Sequence, residues 1–154
     1  MQLAKIIQPD RIIAPLNATD KTAAITALVH QLAESGAITR PEMALDAVLK
    51  REAERTTGVG FGLAIPHGKV DCCDNVVIAV GKPGTPIDYQ SFDNKPVIMI
   101  ALVISPPAQT SLHIKALADM TRLWHSLEFR DAIASADSPE AVHAAITKFE
   151  AAQS

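Results

Sequence analysis

The segment PVIMIALVIS, residues 96–105, is apolar at consecutive positions rather than at alternate ones. Its β-branched and aliphatic residues lie between Pro96 and the Pro106-Pro107 pair, which is typical of a strand. A strand that is apolar on both sides is covered on both sides, as in a sheet with helices packed on each face. We therefore predict a single α/β domain over residues 1–154, with a central mixed β-sheet and helices on both faces.

Three further segments predict the other strands of this sheet. Residues 62–66 and 75–83 are short, rich in aliphatic residues and bounded by Gly, Pro, Asp and Asn. Residues 11–16 predict another short strand, preceded by one helical turn over residues 3–7.

Helical patterns lie on either side of these strands. Thr19-Asp20 offers an N-cap for the first helix, Pro41 marks the start of the second, and Thr110-Ser111 offers a cap for the third. The predicted helices cover residues 21–36, 40–54 and 112–127, and a last helix runs from about 140 to 149.

Composition excludes several classes of function. The chain has 14 Lys+Arg against 17 Asp+Glu and only 4% aromatic residues, which argues against a nucleic-acid-binding surface. Its longest apolar run, residues 97–104, is far shorter than the roughly 20 residues of a membrane helix. The amino terminus has no signal-peptide pattern, and the adjacent Cys72 and Cys73 cannot link distant segments, so we expect a cytoplasmic protein.

The segment TTGVGFGLAIPHGK, residues 56–69, contains four glycines around Phe61 and His67. Glycine permits positive φ and close approach of another group, so this loop is suited to contact. A dinucleotide fingerprint needs a strand before the glycines and a helix after them, which is the reverse of the order predicted here. No Gly-Lys-Ser/Thr follows at phosphate-loop spacing either, and nucleotide binding is disfavoured.

His67 is the candidate nucleophile of this segment. It lies between Pro66, which stiffens the backbone, and Gly68, which leaves room for a partner. A neutral imidazole nitrogen is a good nucleophile and can carry a group covalently. The alternative is an ordinary histidine at the end of a strand, and the glycine context favours the functional interpretation.

His113 and Arg51 are candidate partners of His67. His113 falls in the first turn of a predicted helix, and positions 113, 117, 120 and 124 form an inward-facing stripe. It is either a core histidine or a group beside an anion at the helix amino terminus. Arg51 lies in line with the buried face of the second helix; its alternative role is a surface ion pair with Glu52 or Glu54. The other histidines, His30, His125 and His143, lack such a context.

The string REAERTTGVGFGLAIPHGK, residues 51–69, is followed by two apolar strands and the HIKALADMTRL helix. This arrangement closely resembles the IIA components of the bacterial phosphoenolpyruvate-dependent phosphotransferase system. The resemblance is to the fructose/mannitol family, especially its stand-alone nitrogen-regulatory branch, and it covers essentially the whole chain. Phe61 departs from the family, whose members commonly have Asn or another small or polar residue there.

The resemblance implies that His67 accepts a phosphoryl group, through Nε2, from a histidine phosphocarrier protein. His113 and Arg51 would neutralise the phosphoryl oxygens, and neither a metal nor a cofactor is required. We expect backbone N–H groups of the loop to help as an anion nest; the loop residues concerned are Thr56, Thr57, Gly58 and Gly60.

An apolar rim is expected to dock the carrier protein. If residues 61–65 are extended, Phe61, Leu63 and Ile65 share one face, which predicts Phe61 and Leu63 as outward-facing docking residues, with Val59 beside them.

Two fates of the phosphoryl group are open. We favour a regulatory protein whose phosphorylation state decides which targets it binds, such as transporters or kinases, because the sequence has no IIB-like cysteine loop and no fused second domain. The alternative is a sugar-specific IIA that passes phosphate to a separate IIB subunit.

A metalloenzyme using His67, Asp71, Cys72, Cys73 and His113 is disfavoured because no metal-ligand spacing occurs.

Overall fold

A computed structural model describes residues 1–153 of the chain. The helices are α1 (Leu3–Ile6), α2 (Lys21–Glu34), α3 (Pro41–Glu54), α4 (Thr110–Trp124), α5 (Leu127–Ser135) and α6 (Pro139–Gln153), with a 3-10 turn at Pro9–Arg11. The strands are β1 (Ile12–Leu16), β2 (Gly58–Gly60), β3 (Leu63–Ala64), β4 (His67–Lys69), β5 (Val77–Pro83) and β6 (Met99–Ser105). None of the helices within residues 1–153 is both long and apolar enough to cross a membrane.

The central strand of the six-stranded mixed sheet is β6. The order is β1-β5-β6-β3-β2, and β4 also pairs with β6, further along the edge that β3 occupies. β6 runs antiparallel to β5 and parallel to β3 and β4. His67 pairs in register with Val103, and this pairing sets the position of His67 along the central strand.

Both faces of β6 are buried, and each faces its own hydrophobic core. Met99, Ala101 and Val103 belong to the core covered by α1, α4, α5 and α6. The alternate residues of β6 belong to the core covered by α2 and α3; these are Ile100, Leu102 and Ile104. All six are fully buried. The predicted fold class, a mixed sheet with helices on both faces, is confirmed.

The third predicted helix, residues 112–127, corresponds to α4, and a further helix, α5, follows it. Thr110 and Ser111 lie inside α4 rather than capping it, and its N-cap residue Gln109 makes no side-chain cap bond. The helix ends at Trp124, and the hydroxyl of Ser126 accepts a 3.2 Å hydrogen bond from the N–H of Phe129. This cap begins α5, which the sequence analysis missed.

The glycine segment is more regular than predicted. It contains three short strands, β2, β3 and β4, where one strand and a loop were expected. Gly60, Phe61 and Gly62 have φ values of 104°, 56° and 91°, which turn the chain between β2 and β3. The chain over residues 61–65 is therefore not continuously extended.

Candidate functional site

His67 begins β4 and is held by its own strand connection. Its Nδ1 lies 2.9 Å from the carbonyl oxygen of Ile65. A carbonyl can only accept, so Nδ1 carries the proton of the neutral ring and Nε2 keeps its lone pair. Burial lowers the pKa of His67 below its usual value, and the charge of Arg51 lowers it further, against the effect of the Ile65 bond. His67 is thus a neutral imidazole at pH 7 with Nε2 as its nucleophilic atom.

His113 lies beside His67. The centroids of the two rings are 5.2 Å apart with an interplanar angle of 66°. His113 is 3% exposed, and its Nδ1 is 2.6 Å from the hydroxyl of Ser105. Burial lowers its pKa to about 4, with the charges of His67 and Lys69 adding to the effect. In the unphosphorylated protein the His113 ring is therefore neutral at pH 7, whereas the sequence analysis expected His113 to neutralise phosphoryl charge.

Arg51 lines the cleft that contains His67. The cleft has a volume of about 400 Å³ and is lined by Arg51, Arg55, Thr56, Thr57, Val59, Ile65, His67 and Phe92. One terminal nitrogen of Arg51 donates a 3.0 Å hydrogen bond to the carbonyl of Arg55. Among residues 1–153 Arg51 forms no ion pair with Glu52 or Glu54. Arg51 and Arg55 therefore both line the cleft that contains His67.

The loop N–H groups differ from the expected anion nest. The N–H of Thr57 donates to Glu52 at 2.9 Å, and the N–H of Gly58 donates to the Thr56 hydroxyl at 3.1 Å. Gly60 lies in the β2–β3 ladder opposite Leu63. An anion would have to displace the bonds of Thr57 and Gly58 to use those N–H groups. The Thr56 hydroxyl, which accepts from Gly58, still has its own proton to donate.

Glu52 forms a buried network of hydrogen bonds next to the site. From the sequence it was considered only as a possible ion-pair partner of Arg51. Its carboxylate is 6% exposed and accepts from the Thr57 N–H and hydroxyl, from the Tyr89 hydroxyl at 3.0 Å and from Lys21 Nζ at 3.2 Å. Burial raises the pKa of this carboxyl, but the hydrogen bonds, those from Thr57 first, outweigh it and hold the pKa below the usual value. The spacing of four residues from buried Val48 was the signal for its inward position.

The expected docking rim is partly wrong. Leu63 is only 1% exposed because β3 pairs with β6 inside the sheet, so Leu63 is a core residue. Phe61 points outward as predicted and is 70% exposed, but the positive φ of the turn, not strand alternation, places it there. Val59 and Phe92 are also exposed, and the guanidinium of Arg130 lies 5.4 Å from the Phe61 ring centroid.

The cysteines and the acidic residues near the site form no metal cluster. Within residues 1–153 no group of three or more His, Cys, Asp or Glu side chains is placed to hold a metal ion. Cys72 and Cys73 are free thiols, and burial raises the pKa of each, that of Cys73 to about 12.

Comparison with known proteins shows which family this chain resembles in sequence. The family model described as "Phosphoenolpyruvate-dependent sugar phosphotransferase system, EIIA 2" matches residues 5–149. A fructose-specific EIIA component of Haloferax volcanii is 33% identical over 122 residues, 79% of each chain. A nitrogen regulatory protein of Bradyrhizobium diazoefficiens is 29% identical over 147 residues, 95% of each chain.

The fold also matches a solved structure. The nitrogen regulatory protein IIA-Ntr of Neisseria meningitidis superposes with a TM-score of 0.87 at 22% sequence identity. The match covers 96% of this chain and all of that one.

Proposed function

The chain belongs to the EIIA 2 family of the phosphoenolpyruvate-dependent sugar phosphotransferase system, and we propose that it accepts a phosphoryl group from a histidine phosphocarrier protein onto Nε2 of His67. In this proposal residues 1–154 act as one such domain. The observation that supports it most directly is the hydrogen bond between His67 Nδ1 and the Ile65 carbonyl, because it leaves the Nε2 lone pair unprotonated in a cleft bordered by Arg51 and Arg55.

The transfer step requires no acid, base or metal. The Nε2 lone pair attacks the phosphorus of the donor's phosphohistidine, the new N–P bond forms as the donor N–P bond breaks, and the electron pair of that bond returns to the donor nitrogen. The proton on Nδ1 of His67 stays on that nitrogen, hydrogen-bonded to the Ile65 carbonyl, throughout. For such a loose, in-line transfer, catalysis consists mainly of positioning and charge stabilisation.

In this proposal three groups of the chain contact the phosphoryl oxygens. Arg51 supplies a positive charge beside His67, and the neutral ring of His113 supplies a hydrogen bond. The proton of the Thr56 hydroxyl supplies another, in place of the loop N–H groups that already have acceptors. Charge-assisted hydrogen bonds of this kind are the strong ones in phosphate sites.

A reconstituted reaction tests the phosphorylation itself. Incubation with phosphoenolpyruvate, enzyme I and the phosphocarrier protein is expected to add one acid-labile phosphate per chain. His67→Ala is expected to fold normally and to accept none, whereas His125→Ala, at an exposed position, accepts phosphate at the wild-type rate. Phosphate found on His113, or persisting in His67→Ala, would contradict the assignment.

We propose further that the phosphorylated protein is regulatory. The supporting observation is the alignment with a nitrogen regulatory protein over 95% of both chains. Phosphorylation would add about two negative charges beside the exposed Phe92 and Val59. That change of charge would alter which target proteins, such as transporters or kinases, bind this surface.

The second candidate is a sugar-specific IIA, favoured by the 33% identity to a fructose-specific EIIA component. It predicts that a separate IIB protein rapidly discharges the phosphorylated chain. The regulatory proposal predicts that candidate IIB proteins leave the phosphate in place while target binding changes with phosphorylation. A discharge assay with both forms of the protein separates the two.

A further inference from the structure

We propose that Ser105 is a positioning residue for phosphoryl transfer: its buried hydroxyl donates to Nδ1 of His113 and so keeps the proton of the neutral His113 ring on Nε2. The inference rests on the proposed function of His67, to which His113 is the neighbouring ring. Neither the sequence pattern nor the resemblance pointed to Ser105.

The contact is short and enclosed. Ser105 is the last residue of β6 and is fully buried, while His113 is 3% exposed. The Ser105 hydroxyl oxygen lies 2.6 Å from His113 Nδ1. The main chain of Ser105 is fixed independently, because its carbonyl accepts from the N–H of Val70 at 2.8 Å. The hydroxyl is therefore held against the ring by the sheet itself.

The direction of this hydrogen bond follows from the protons available. Among residues 1–153 the Ser105 hydroxyl has no other hydrogen-bond partner. If Nδ1 were the donor, the only hydroxyl proton of Ser105 would be buried without an acceptor, which carries the full desolvation cost of that group. If the hydroxyl donates, that proton is satisfied and Nδ1 accepts. The second arrangement satisfies the buried donor, and it places the ring proton on Nε2.

The tautomer decides what His113 presents to a phosphoryl group on His67. Nδ1 is occupied by Ser105, so Nε2 is the nitrogen left for a group bound at the neighbouring ring, 5.2 Å away between centroids. With its proton on Nε2, the ring donates to a phosphoryl oxygen. With the proton on Nδ1, it would present a lone pair to a negatively charged oxygen. The low pKa of His113, about 4, makes the neutral tautomers the relevant states.

Nitrogen-15 NMR and transfer kinetics on the intact protein test the inference. At neutral pH, unphosphorylated wild-type protein is expected to show His113 with Nδ1 unprotonated and Nε2 protonated. Ser105→Ala is expected to lose this single tautomer and to accept phosphate roughly tenfold more slowly, as for one lost hydrogen bond to a charged group. Ser105→Thr, which keeps the hydroxyl, is expected to restore both the tautomer and the rate.

Ser91→Ala serves as the matched control. Ser91 is also buried, but within the described part of the chain, residues 1–153, its hydroxyl makes no hydrogen bond, so its removal should change neither the His113 tautomer nor the transfer rate. A wild-type His113 protonated on Nδ1 would overturn the inference, as would a Ser105→Ala protein with an unchanged tautomer or an unchanged rate. A wild-type protein that takes up no phosphate would overturn the proposed function, and the role of Ser105 in transfer with it, whatever the NMR result for the tautomer.

Discussion

Three neighbours determine the chemistry of His67 at the level of single residues. The Ile65 carbonyl fixes its tautomer, burial and the Arg51 charge lower its pKa, and His113 occupies the adjacent space. In the proposed transfer none of these groups has to remove a proton from His67, because neutral Nε2 already has a lone pair. The proposal therefore assigns orientation and charge, rather than acid–base catalysis, to the residues around His67.

Arg51→Ala is expected to slow phosphorylation without unfolding the protein. Losing a charge-assisted contact to phosphate costs about 1.5–3 kcal/mol, or roughly ten- to a hundredfold in rate. Among residues 1–153, the side-chain hydrogen bond lost is the one from Arg51 to the Arg55 carbonyl. Single-turnover transfer and urea unfolding measure the two effects. A variant that is strongly destabilised but transfers at the wild-type rate would make Arg51 a structural residue.

Phe61→Asn is expected to weaken or alter binding of the phosphocarrier or a regulatory target while leaving stability nearly unchanged. The ring is 70% exposed, and its φ of 56° is one that Asn tolerates better than most residues. The contact between its ring and Arg130 is lost, which is worth about 0.5–1 kcal/mol at an exposed position. Calorimetric titration with the carrier and thermal unfolding are the measurements. A large fall in stability with binding intact would show that Phe61 is a core residue.

At the level of elements, helices with strong caps and long apolar strands could be predicted from the sequence. Asp20 caps α2 as predicted, through a 2.8 Å bond from the N–H of Ala23, and the β6 segment gave the fold class. The strands β2 and β4, of three residues each, are too short to carry a periodic signal and exist because the neighbouring strands pair with them. Leu63 was predicted to face outward because alternation was assumed to continue from Phe61. Alternation of residue types cannot reveal the turn of positive φ that interrupts it.

The break between α4 and α5 gives a prediction about capping. Ser126→Ala is expected to lower the free energy of unfolding by about 1 kcal/mol, because the N–H of Phe129 loses its acceptor. Thr110→Ala is the matched control: the sequence indicated a cap there, but Thr110 is already helical, and its removal should cost less. Urea unfolding of both variants provides the comparison. An equal loss in the two variants would contradict the assigned cap.

At the level of the whole molecule, the candidate site lies where the sheet and both helical layers meet. His67 is on β4, Arg51 comes from α3 on one face, and His113 comes from α4 on the other. The sequence predicted that these three residues lie together, but it did not single out Glu52 or Ser105, whose contacts extend across the fold. Glu52 joins α2, α3 and the loop at Tyr89, and Ser105 joins β6 to α4.

The lowered pKa values of buried His113 and half-buried His67 should make global stability depend on pH. In the unfolded chain His113 takes up a proton near pH 6.5, whereas in the folded protein its pKa is about 4, and that of His67 is also lowered. The unfolded state therefore binds more protons as the pH falls, and stability decreases between pH 7 and pH 5, by about 2 kcal/mol for His113 alone.

Urea unfolding across this range measures the pH dependence. His113→Gln is expected to flatten the profile, and His30→Gln, at an exposed position, is expected to leave it as in the wild type. Stability that stays constant or rises on acidification from pH 7 to pH 5 would show that the two rings are not buried in the neutral form.

The position of the phosphoryl group within the His67 ring tests the central claim most directly. After phosphorylation by phosphoenolpyruvate, enzyme I and the phosphocarrier protein, phosphorus-31 and nitrogen-15 NMR can assign the nitrogen that carries the phosphate. The bond from Nδ1 to the Ile65 carbonyl predicts a single phosphohistidine at His67, with phosphorus bonded to Nε2 and the proton retained on Nδ1. Phosphate on Nδ1 of His67, or on His113, would contradict it.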